Sequence, residues 1–307
     1  MTSIIIPRVI ELIGTDCKRG LVFSAGGSAD LILAKTIANG LVRAGCTRID
    51  LAQPLHSIST LSEMGLHTDN GEFHALESEP GLDPECVLRH HATLPQSCIP
   101  ECQRGTGLSI SALLEWNHGS RYVCATHGDG PLSLAKRLDG TVPFYEFGVG
   151  VDGGGDALTH DDDEADRVVL AGYQSGWPSS TPLLFIAMGL GADGGSKPAE
   201  FDDVSLSGWK SCCSQTLDEE FAMLLKQELL RLGLWYPNPS IWSKDDPIWG
   251  YGLKVPQIIS MAIQNEFPFD APSTDSDLVT FPRRRELKTM SKHLLREARF
   301  FLREVSS

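Results

Sequence analysis

A chain of 307 residues with net charge −14 and 41% hydrophobic residues has the makeup of a folded globular protein, long enough for two ordinary domains or one large α/β domain. At 21% charged residues it is not disordered by composition, and its acidity argues against holding nucleic acid or an anionic membrane through its whole surface. Eight Cys are too sparse for a disulfide scaffold, Met1 to Pro7 holds no basic leader, and no run reaches the roughly 20 apolar residues of a membrane span, so a reduced, cytoplasmic protein is expected.

Leu21 to Ala25 is a short apolar run, suited to a strand buried on both faces. Gly26-Gly27-Ser28-Ala29-Asp30 follows and opens a helix with apolar residues at 34, 37, 38, 41 and 42, ended by Gly45. Ile49 to Ala52 then reads as a second strand, which completes a βαβ unit. Residues 53–120 are too long for a simple connection and should hold helices, another strand or a lid. Within them Cys98 and Cys102, with His90 and His91 upstream, lack the second ligand pair of a zinc site and read as loop residues.

Arg121 to Ala125 reads as a strand running into Thr126-His127-Gly128-Asp129-Gly130, with a helix through Leu132 and Leu138. Phe144 to Val151 runs into Asp152-Gly153-Gly154-Gly155-Asp156. The acidic run from Asp161 to Asp166 reads as a solvated loop. Pro182 to Met188 runs into Gly189-Leu190-Gly191-Ala192-Asp193-Gly194. Further on, helical spacing marks Leu217 to Leu232, Val255 to Ile263 and, as the longest helix, Arg285 to Val305. From Phe281 onward eight Lys and Arg face three Glu, a net +5, which leaves −19 on the rest of the chain. That basic face reads as packed beside the acidic body or solvated.

Strands alternating with helices predict a doubly wound, mostly parallel, Rossmann-like α/β sheet over residues 1–210, with additional, mainly helical structure over 211–307 packed on it. In such sheets the loops after the strands share one edge, so four loops of one chemical character could converge on a crevice.

The chemistry expected there follows from residue type. At a helix N-terminus Gly26, Gly27 and Ser28 let an anion approach free N–H groups, with Asp30 beside them; a tight βα turn is the plainer reading. Asp152 and Asp156 flank Gly153, Gly154 and Gly155 directly after a buried strand. Carboxylates so placed can hold Mg²⁺ or Mn²⁺, bind sugar hydroxyls or an amine, or act as a general base. The plainer reading is a solvated turn. His127 and Asp129 are acid/base candidates, Gly128, Gly191 and Gly194 would line the site, and Asp193 would join Asp152 and Asp156 around a metal. Neither the dinucleotide fingerprint, nor a P-loop, nor a Gly-x-Ser-x-Gly elbow is present.

The four loops together resemble the domain-of-unknown-function 1152 family. Ala25 to Asp30 is similar to its Gly-Gly-Gly-Gly-Asp turn, with Ser28 and Ala29 where the family has Gly. Val151 to Leu158 is similar to its Val-Asp-Val-Gly-Gly-Asp-Ser-Leu segment, Gly128 to Leu138 to its Gly-Gly-Val-x-Gly-Leu-Ala-x-Gly-Leu stretch, and Gly189 to Gly194 to its Gly-Pro-Gly-x-Asp-Gly segment. The order fits over residues 20–235. The resemblance implies a Rossmann-like enzyme fold and supplies no reaction.

The expected function is an enzyme of transfer or hydrolysis on a small polar metabolite, phosphorylated or nucleotide-like, with or without a metal. The alternatives are a non-catalytic small-molecule sensor in the same crevice, and a metal-free hydrolase or lyase whose carboxylates hold a cationic substrate. The expected partner is a small molecule, rather than a membrane or nucleic acid; a homo-oligomer is allowed.

Overall fold

A computed structural model describes residues 5–14, 16, 18–26, 29–55, 73–75, 115–119, 121–125, 145–159, 164–192, 198–202, 204–232, 235, 254–264, 277–283 and 286–304. Helix α1 (Ile5–Ile13) buries Ile5, Ile6, Val9 and Ile13. Strand β1 (Arg19–Ser24) leads into α2 (Ala29–Arg43), which returns the chain to β2 (Arg48–Leu55). Then come β3 (Phe73–Ala75), β4 (Arg121–Ala125), β5 (Phe147–Gly153), α3 (Glu164–Gly176), β6 (Leu183–Met188), β7 (Trp209–Thr216), α4 (Glu219–Arg231) and α5 (Lys254–Gln264). A hairpin of β8 (Leu278–Arg283) and β9 (Glu286–Ser291), one helical turn α6 (Lys292–Leu295) and β10 (Glu297–Arg303) follow.

Eight strands form one sheet in the order β3-β4-β2-β1-β5-β6-β10-β7. β4, β2, β1, β5 and β6 are mutually parallel; β3 and β10 run against them. The fold is therefore a doubly wound, Rossmann-like α/β sheet, as expected. From β1 the chain passes outward to β2 on one side and later returns to β5 on the other. The crevice between the ends of β1 and β5 is thus the topological switch point, where ligands of open α/β sheets bind.

Apolar residues cover both faces. Val22, Val149, Val151, Leu184 and Ile186 join one cluster with α1, α2, α4 and α5. Leu21, Phe23, Leu183 and Phe185 point the other way, into a cluster built with Val169, Leu170 and Tyr173 of α3. Neighbouring residues on a strand face opposite sides, and both sides are dry, so these strands read as continuous apolar runs.

Two expectations need correction. The helix expected over Arg285 to Val305 is instead β9, α6 and β10. Strand β10 lies between β6 and β7, with Phe300 buried in one core and Phe301 in the other. A strand buried on both faces has no alternating pattern, and its apolar residues happen to fall at helical spacing. The basic side chains there are backbone staples: Arg296 donates to the carbonyl of Ala262, Arg299 to that of Phe201, and Arg303 to those of Gln174, Trp177 and Pro178. Secondly, β10 and all but the first two residues of β7 lie beyond residue 210 and belong to the main sheet, so residues 211–307 supply strands as well as the expected helices α4 and α5. Of the 53–120 connection, β3 and residues 115–119 are described beyond the end of β2; Cys98 and Cys102 lie outside the described residues.

Candidate functional site

The site begins with the turn after β5. Gly154 and Gly155 have φ of 106° and 82°, a region that disfavours any residue with a Cβ. They reverse the chain into a short helical turn, Asp156–Leu158. The Gly154 N–H donates to the Met188 carbonyl (2.9 Å), and the Gly191 N–H donates to the Gly154 carbonyl (2.6 Å). The loops after β5 and β6 are therefore one hydrogen-bonded unit.

Asp30 joins the loop after β1 to that unit. One of its carboxylate oxygens accepts from the Gly26 N–H and the other from the Gly153 N–H, both at 2.8 Å. Gly26 is required by close approach: a Cβ there would lie 2.5 Å from an Asp30 oxygen and 2.6 Å from an Asp166 oxygen. The bonds explain the Asp after the glycines. A carboxylate at the start of α2 favours the helix dipole and ties the two strands that flank the switch point. They also change the anion-cradle reading of this loop, because the Gly26 and Gly153 donors are already taken by an internal anion.

Asp152 is the second component. It is wholly buried, and it points to the α3 side of the sheet, opposite its neighbour Val151. Neither of its oxygens accepts a hydrogen bond from an N–H or O–H among the described residues. Its carboxyl is pushed well above the usual carboxylate range, first by burial and then by the negative charges of Asp156, Asp30 and Asp166.

Asp166 completes the group. The acidic run was expected to be a solvated loop, but its last member is buried in the first turn of α3. Arg167 beside it donates to the carbonyls of Ala157 and Thr159, holding this turn of α3 over the Asp156–Leu158 turn. One oxygen each of Asp30, Asp152 and Asp166 lie within 4.8 Å of one another. Sequence reasoning missed Asp166 because an Asp-rich stretch reads as surface. The available signal was the helical spacing of Val169, Leu170 and Tyr173, which places Asp166 one turn before Val169 and Leu170 on the inward face of α3.

Of the other expected site residues, Asp156 lies at the rim, partly exposed, and Gly191 lies against Gly154. Gly27, Ser28, His127, Gly128, Asp129, Asp193 and Gly194 lie outside the described residues. The strands that precede His127 and Asp193, β4 and β6, run parallel to β2 and β5, so their loops leave from the same edge.

No protein-family model matches the chain. No curated protein matches it significantly. Among solved structures it is similar to two of the rRNA methyltransferase AviRa from Streptomyces viridochromogenes, at 2.4 Å and 1.5 Å. The TM-scores are 0.33 and 0.32, with 12% identity in both, and each alignment covers 69% of this chain and 77% of that one. Among the described residues no helix is long and apolar enough to cross a membrane.

Proposed function

We propose that the chain is an enzyme of group transfer or hydrolysis acting on a small polar metabolite at the carboxyl edge of β1, β5 and β6. One observation supports this reading: a wholly buried Asp152 that no donor among the described residues reaches, at the switch point of the sheet, among three further carboxylates. An ionised carboxylate so buried costs several kcal/mol unless something compensates it, about as much as the whole margin of stability of many domains. Carboxyls displaced this far from their usual range concentrate at functional sites. Asp156, at the rim with one side toward solvent, takes the acid/base role, and Asp30, bonded to the Gly26 and Gly153 N–H groups, holds the loops that position it. The resemblance to the domain-of-unknown-function 1152 family, carried by Ala25 to Asp30 and Val151 to Leu158, belongs with this reading. With Gly26 and Gly153 bonded to Asp30, the substrate meets the cluster through hydroxyls, an amine or a bridging cation, not through a bare phosphate.

The test is a thermal-shift panel of nucleosides, nucleotides, sugars, sugar phosphates and amines, each with and without Mg²⁺, followed by turnover assays on every compound that stabilises. A ligand at about 100 times its Kd adds about 2.7 kcal/mol. Asp156→Asn should keep that stabilisation and lose turnover. Stabilisation without any turnover in the parent would instead make the chain a sensor, and a panel in which no member stabilises it would count against the site.

A further inference from the structure

We infer that Asp30, Asp152 and Asp166 form a binding site for one divalent, oxygen-seeking cation, with Asp156 at its open side. For its location the inference rests on the crevice read above as the functional site, and it deepens that reading by naming what the carboxylates hold.

The ligand set differs from the one read in the sequence. Asp30 and Asp166 join Asp152 as donors where Asp156 was expected, while Asp193 lies outside the described residues; the donors come from three elements: the start of α2, the end of β5 and the first turn of α3. The three donor oxygens spread over no more than 4.8 Å. Oxygens on opposite sides of a single ion sit roughly 4.2 Å apart for Mg²⁺ and up to about 5 Å for Ca²⁺, so one ion can touch all three with little rearrangement. An all-carboxylate donor set selects Mg²⁺, Mn²⁺ or Ca²⁺ over the softer metals that prefer thiolate or imidazole.

A cluster of acids alone would not call for a cation. The deciding feature is Asp152, which brings one oxygen to the cluster and whose two oxygens are buried and receive no N–H or O–H among the described residues. A buried carboxylate beside other carboxylates and without a donor among the described residues is what a cation requires and what a structural carboxylate avoids. Gly26 is the second adaptation. Any side chain there would collide with oxygens of Asp30 and Asp166, so the glycine lets the carboxylates close to the distance one ion demands. Burial of Asp30, Asp152 and Asp166 favours a bare ion over an organic amine, which would also have to bury its carbon stem.

The test uses the full-length protein, stripped with a chelator and dialysed, with no metabolite present. Mn²⁺ is titrated and the free ion followed by electron paramagnetic resonance, with Mg²⁺ and Ca²⁺ as competitors and thermal unfolding recorded in parallel. One Mn²⁺ per chain should bind and raise the melting temperature. Asp152→Asn and Asp166→Asn should each weaken binding at least tenfold, while Asp202→Asn, an exposed acid on the far side of β6, should leave it unchanged. Circular dichroism confirms that each variant is folded; if one is not, the other decides. Absence of stoichiometric binding at millimolar Mn²⁺, binding that survives both substitutions, or stabilisation by methylammonium but not by Mn²⁺ would overturn the assignment. A chain that binds Mn²⁺ at these residues yet turns nothing over keeps the cation site and retires the enzyme reading, so the two fail separately.

Discussion

Helix α2 reaches two groups of buried charge, and they are built on opposite principles. At its first turn Asp30 enters the acid cluster, where the charges of Asp156, Asp30 and Asp166 act on Asp152 with one sign. Five residues later Lys35, 3% exposed, enters a balanced network. Its ammonium lies 2.9 Å from Glu228 and 3.5 Å from Glu115, and Arg231 pairs with both acids. Two cations there meet two anions. Burial still pulls Lys35 down to about 8 from 10.5, against the attraction of Glu228, so even a balanced group bears a desolvation penalty. A third buried acid, Asp50 on β2, has Arg48 at 3.0 Å and the Tyr145 hydroxyl as partners. Lys35, Glu228 and Asp50 are compensated by neighbouring side chains, whereas among the described residues no donor reaches Asp152. That difference separates a structural network from the proposed cation site.

The comparison can be broken by substitution. The largest effect is expected from Lys35→Met, which leaves Glu228 half-compensated between α2 and α4 and should cost about 3 kcal/mol in chemical denaturation. It should leave Mn²⁺ binding at the crevice intact. Asp50→Asn, which removes a charge with partners, should cost about 2 kcal/mol. The same change at Asp152 should have the smallest effect and the opposite sign: without cation the variant should match the parent at neutral pH or exceed it by about 1 kcal/mol, because it relieves repulsion. A loss of more than about 2 kcal/mol at Asp152 would make it another structural acid like Asp50.

The pH dependence sharpens the same point. Asp152 is held above 3.8 in the folded state, so the folded protein binds more protons than the unfolded chain above that pH. The stabilisation is fully present below about pH 3.8 and is lost as pH rises through the folded-state value. Cation-free parent should therefore lose stability relative to Asp152→Asn as the pH climbs from 4 towards neutral, by at most about 1.4 kcal/mol per pH unit. Added Mn²⁺ should flatten that difference, and parallel curves for the two proteins would refute the displaced carboxyl.

Much of this was legible in the sequence, for identifiable reasons. Buried strands followed at once by Gly and Asp marked β1, β4, β5 and β6 and the edge from which their loops leave, because backbone reversal after a dry strand demands small or turn-forming residues. Asp30 and Asp152 were both singled out, but their relation was not: no spacing rule says that a carboxylate 123 positions away will take the Gly153 N–H. Asp166 was hidden inside a stretch whose composition says surface. β10 was hidden by the absence of alternation, and α1 by its brevity, since only a short apolar run stood out at the start of the chain. The long-range contacts that create the cluster are a property of the sheet order, which local pattern does not encode.

Asp152 and its neighbours should hold a proton only until a cation replaces it. Calorimetric titration of chelator-stripped protein with Mn²⁺ at pH 5.5, in two buffers of different ionisation enthalpy, measures the exchange directly. Ligand carboxyls must deprotonate to bind, so about one proton should be released to the buffer for each Mn²⁺ bound, and the release should disappear in Asp152→Asn. Identical heats in the two buffers, or proton release unchanged by Asp152→Asn, would contradict it.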